Sequence, residues 1–171
     1  MKKSHKLVSI GVGIVLLIGA GIQAVPVDRS NPTVTMEVDA PPEVMGVLRG
    51  SCYDCHSNEV DWPWYSYIAP VSWLIAKDVR EGREHVNFTT WDRYSPSERR
   101  DIIEEVYEET SEGEMPLPIY LRMHPNAELT QNDLLTLRSW GTGTNATPRA
   151  ETTGKDSDED KDDESQEHGD D

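Results

Sequence analysis

The sequence is short of several things, and each shortage narrows what the chain can be. It has two cysteines, Cys52 and Cys55, so it cannot carry a disulfide framework or a four-cysteine zinc site. It has one phenylalanine in 171 residues. Lysine and arginine total 16 against 32 acids, a formal net charge of -16, which excludes a phosphate-binding nucleic-acid protein. From Glu151 to Asp171 there are 11 acids and 2 bases, so this tail alone carries -9. Such a run is expected to stay disordered and solvated, because it cannot bury apolar surface. No strand-like alternation of useful length occurs. There is one long apolar run, at the amino terminus.

That run, Leu7 to Val27, has 21 residues and no charged side chain. As a helix it would span about 31 Å, close to a bilayer core. Lys2, Lys3 and Lys6 precede it, so the positive-inside rule places the residues after it outside the cytoplasm. A cleaved signal peptide is the competing reading, but cleavage after Ala24 would leave Ile22 at the -3 position, a poor fit. An uncleaved anchor is expected. The chain then divides into a transmembrane segment, 1–27; a polar, proline-interrupted spacer, 28–40; a folded domain, 41–141; and the acidic tail, 142–171.

The domain reads as all-α, with four or five helices. Pro42 suits a helix start, and Val44, Val47 and Leu48 share one face. Val71, Leu74, Ile75 and Val79 form a second stripe, ending near Glu81-Gly82-Arg83. Ser95-Pro96-Ser97-Glu98 is a capping box, with Ile102, Ile103, Val106 and Tyr107 turned inward and Gly113 as the stop. Thr130 caps a last helix whose face is Leu134, Leu137 and Trp140, ending at Gly141.

Cys52-Tyr53-Asp54-Cys55-His56 carries the chemistry. C-x-x-C-H is the attachment signature of c-type haem. Two thiols about one helical turn apart reach the two vinyl groups of the ring and form thioethers, and the adjacent histidine becomes the proximal iron ligand. One covalent haem c is therefore expected, on Cys52, Cys55 and His56. A redox dithiol or a zinc site are the alternatives; the exported, helical, otherwise cysteine-free setting favours haem.

The sequence resembles the small bacterial haem-binding domain family of C-x-x-C-H proteins. The matching stretches are Cys52 to Asn58, Trp62-Pro63-Trp64-Tyr65-Ser66, Ile68-Ala69-Pro70-Val71-Ser72-Trp73-Leu74, Glu81-Gly82-Arg83-Glu84-His85-Val86-Asn87-Phe88, and Gly113-Glu114-Met115-Pro116-Leu117. The resemblance runs from about Val25 to Trp140 and leaves out the acidic tail. It implies a monohaem, cytochrome c-like domain, membrane-anchored or exported.

The sixth iron ligand decides the function. Met115 is the first candidate, 59 residues after His56, behind a helix and Gly113 and followed by Pro116. Met123, His85 and His124 are the alternatives. A thioether opposite histidine raises the potential and closes the iron, which suits electron transfer. A carrier rather than an enzyme is expected, serving a redox protein partner with a basic docking face. The alternative is a five-coordinate or labile-ligand haem protein acting as peroxidase or gas and redox sensor. Trp62, Trp64, Tyr65 and Trp73 are candidates to wall the haem, though ordinary core packing is the commoner role for any one of them; Arg80 and Arg83 are candidates to pair with its propionates, the alternative being plain surface residues on a solvated helix face.

Overall fold

A computed structural model describes residues 2–143. Residues 144–171, nearly all of the acidic tail, lie outside the described residues. The described residues are helical, with one isolated bridge between Met36 and Thr90. Helix α1 is Lys2–Gln23, α2 Pro42–Ser51, α3 Tyr53–His56, α4 Val71–His85, α5 Pro96–Glu112, α6 Pro118–Leu121 and α7 Gln131–Thr142. The domain thus has four helices of ten residues or more and two single-turn ones, α3 and α6, in line with the all-α expectation.

Each long helix has a local cause. Pro42 sits in the first turn of α2, where a missing N–H costs nothing. Ser95 and Glu98 exchange the two hydrogen bonds of a capping box at α5, and Gly113 closes that helix in the left-handed region at φ 79°. Thr130 and Asp133 make the equivalent box at α7. That helix runs past Gly141, the expected stop, to Gly143 at φ 65°.

Helix α7 packs against both α5 and α2, and α3 packs against α4. Val44, Val47, Leu48, Phe88, Trp91 and Leu137 form the core between them. The only phenylalanine stands at its centre, stacked on Tyr53 at 5.9 Å between ring centroids. Ile102, Ile103, Val106 and Tyr107 of α5 pack onto that core, as their spacing predicts.

Two departures from expectation matter for the site. The segment 28–40, expected as a spacer, lies along the domain: Val38 N–H donates to the Phe88 carbonyl at 2.7 Å, and Val38 is buried in the core. Helix α4 continues to His85 rather than stopping near Gly82. Gly82 serves close packing instead. A Cβ there would stand 2.8 Å from the Cys55 carbonyl oxygen.

Candidate functional site

Helix α2 delivers the chain to Cys52, which ends it and begins α3, so both thiols and His56 fall on one short turn. The turn is tied down from three sides. Phe88 N–H donates to the His56 carbonyl at 2.8 Å. Asn58 N–H donates to Thr89 Oγ1, and Asn87 Nδ2 donates to Asn58 Oδ1 at 2.8 Å, a buried network that fixes the residues after His56 to the segment after α4. Tyr120 of α6 donates its hydroxyl to Asp54 Oδ2 at 2.8 Å. The two variable positions of the motif are therefore structural: Tyr53 enters the core, and Asp54 holds α6.

Cys52, Cys55 and His56 open onto one cavity of about 320 Å³, within the range of cofactor sites. Val86, Phe88, Ile102, Val106 and Leu117 supply apolar wall, and Met115 lines the same cavity. Burial pushes both thiols up to about 12, so Cys52 and Cys55 are held as neutral thiols. Burial also holds His56 below its ordinary value, favouring the neutral imidazole. Its Nδ1 lies 3.2 Å from the Val86 carbonyl oxygen. That bond takes up Nδ1 and leaves Nε2 as the nitrogen available to a metal, the orientation that ligating histidines commonly receive from a second group. An apolar slot with two thiols and an oriented neutral imidazole on one wall fits a haem.

Of the other ligand candidates, His85 lines the cavity. Met123 does not, and is 56% exposed. His124 is not among the lining residues; it stacks at 4.1 Å on Tyr120, which is, and meets the Tyr65 hydroxyl at 3.2 Å. Among the described residues, no group of three or more His, Cys, Asp or Glu side chains is placed to hold a metal ion directly, as a zinc site would require. Of the candidate aromatics, Trp62, Trp64, Tyr65 and Trp73 do not line the cavity, whereas Phe88 and Tyr120 do. Arg80 lies near Glu81 and Glu84 on the exposed side of α4. Arg83 donates to the Ser57 and Ser30 carbonyls and to Asn31 Oδ1, stapling the 28–40 segment to the haem-motif turn.

Asp78, Glu81, Glu105 and Glu109 border the cavity. Burial raises the Asp78 carboxyl above its ordinary value. This acidic rim had no distinct sequence signal, because its members come from two helices already rich in acid.

Helix α1 contains a stretch, His5–Gln23, long and apolar enough to cross a membrane, and a signal sequence would read the same way. A family model described as haem-binding domain matches residues 17–142. No curated protein and no solved structure matches. The match takes in α2 to α7, every residue of the cavity and part of α1, and the chain belongs to the haem-binding domain family.

Proposed function

We propose that this chain is a monohaem c-type cytochrome that transfers electrons at the outer face of a membrane. The observation that carries the reading is the single cavity shared by Cys52, Cys55, His56 and Met115. In it, the two thiols would hold the ring through thioethers, His56 would supply the proximal nitrogen, and Met115 would fill the opposite side. The bound haem supplies a one-electron couple. The chain's own contribution would be to keep the ring in an apolar slot and to hold the His56 and Met115 side chains beside the iron, which would tune the potential.

Helix α1 would anchor the domain, with Lys2, Lys3 and Lys6 retained in the cytoplasm. The carboxylates of Asp78, Glu81, Glu105 and Glu109 beside the cavity favour a redox partner with a basic docking face.

The test is the visible spectrum of the reduced, haem-loaded protein before and after carbon monoxide. The expected result is a low-spin c-type spectrum that the gas leaves unchanged, because both axial positions are filled. A shift on adding the gas would overturn the closed-iron reading and place the protein with peroxidases or gas sensors.

A further inference from the structure

The start of α4 and the 3-10 turn before it, Trp64–Tyr67, carry an apolar ridge that the core does not use. Trp64 is 72% exposed and Tyr67 52%, and Ile68, Val71, Trp73 and Leu74 are exposed beside them. The periodicity of Val71 and Leu74 is that of a buried face, yet only Val79 of the expected α4 stripe is buried. Val71 and Leu74 share the face that continues to Gly82, whereas Trp73 lies on another side, so apolar side chains stand exposed on more than one side of the helix end. The haem cavity does not account for this, because none of the six lines it.

The composition of the ridge is as unusual as its exposure. From Trp62 to Ala76 there is no charged side chain, in a chain that is 28% charged. The two serines within it, Ser66 and Ser72, are buried, so the outer surface is left to aromatic and aliphatic groups.

The ridge is tied to the outer end of α1. Gln23, the last residue of α1, donates from Nε2 to the Tyr67 carbonyl at 2.5 Å and accepts from Ala69 N–H at 3.0 Å. The Arg29 guanidinium stands 4.3 Å over the Tyr67 ring and donates to the Ser66 carbonyl at 3.1 Å. Tryptophan, tyrosine and arginine beside the end of an apolar helix are the composition of a membrane–water interface, where amphipathic rings sit at headgroup level.

We propose that the ridge from Trp64 to Leu74 is a second membrane contact, seated in the interfacial layer of the same bilayer that α1 crosses. The proposal rests on α1 being a membrane anchor. Two contacts fix the domain's orientation where one flexible anchor would not. The residues of α4 that border the cavity, Asp78 to His85, then stand about 10 to 21 Å along the helix from Val71. The haem site is thereby held off the lipid at a set height, open to a partner.

The experiment uses the full haem-loaded chain in phosphatidylcholine vesicles containing a lipid with a photoactivatable diazirine acyl chain. After irradiation, lipid adducts are located by peptide mass spectrometry. The expected result is adducts on α1 and on the 62–76 peptide, the second set falling severalfold in a Trp64→Glu, Leu74→Glu variant while those on α1 persist. Adducts on α1 alone would overturn the proposal with the anchor intact, and would leave the ridge as a surface for a protein. Persistence of the 62–76 adducts in the variant would overturn it too. Absence of adducts on α1 would overturn the anchor reading, and this proposal with it.

Discussion

At Gly82 a single hydrogen stands where a methyl group would meet the backbone of the haem-motif turn. The close approach is to a carbonyl oxygen, not to the end of a flexible side chain, so it cannot be relieved by a rotamer change. Alanine is the better helix former by about 1 kcal/mol, but forcing atoms into a packed contact costs about 1–3 kcal/mol. Gly82→Ala is therefore expected to lower stability by roughly 1 kcal/mol net and to reduce haem retention, read from thermal unfolding and from the haem-to-protein absorbance ratio. An unchanged ratio with raised stability would mean that α4 does not support the turn. Met115 and His85 line the same cavity, and single variants tell which of them serves as the distal ligand. Met115→Ala is expected to lower the reduction potential and to admit carbon monoxide, while His85→Ala leaves the gas excluded. The reverse pattern would assign the distal position to His85.

At the scale of elements, α5 offers a pH-dependent test away from the haem. Glu98 is held below the usual carboxylate range by its hydrogen bonds to Ser95. A carboxyl lowered in the folded state adds stability above its unfolded value, and that stability is lost as the pH falls through the folded value. Ser95→Ala is expected to cost about 1 kcal/mol near neutrality. Glu98→Ala is expected to be less stable than the parent near neutrality, with a gap that closes on acidification, measured by denaturant unfolding across the acid range. A gap that stays constant would mean that the box contributes nothing through Glu98.

The helices legible in the sequence are those in which periodicity and punctuation agree. Helix α2 shows its buried face as Val44, Val47 and Leu48, α5 begins at the box that Ser95 announces, and α7 at the cap that Thr130 announces. Misread positions are those where tertiary contact overrides local rules. Gly82 looks like a stop and is a packing contact inside α4. Val71 and Leu74 look like core and are exposed. The segment 28–40 looks like a tether, yet Val38 is in the core, and nothing local marks its pairing with Phe88. In the site, the residue types of Cys52, Cys55 and His56 spoke for themselves. The Tyr120–Asp54 bond that holds α6 to their turn spans 66 residues and left no pattern to read.

Over the whole molecule, polarity is sorted by position. An apolar helix lies at the amino terminus, a largely apolar cavity is lined by α3, α4, α5 and the loop that carries Met115, and acid borders the cavity. That sorting suits a redox group held at a membrane and offered to a basic partner. The electron-carrier reading stands on one covalent claim: that Cys52 and Cys55 are bonded to haem in the mature protein. The most direct measurement is the mass and visible absorbance of the purified chain after denaturation in acidic organic solvent, which extracts any haem held only by ligation. The expected result is a chain heavier by one haem that keeps its colour, and a Cys52→Ala, Cys55→Ala double variant that loses it. Extraction of all haem from the parent, or a chain of unmodified mass made in cells that mature c-type cytochromes, would contradict it.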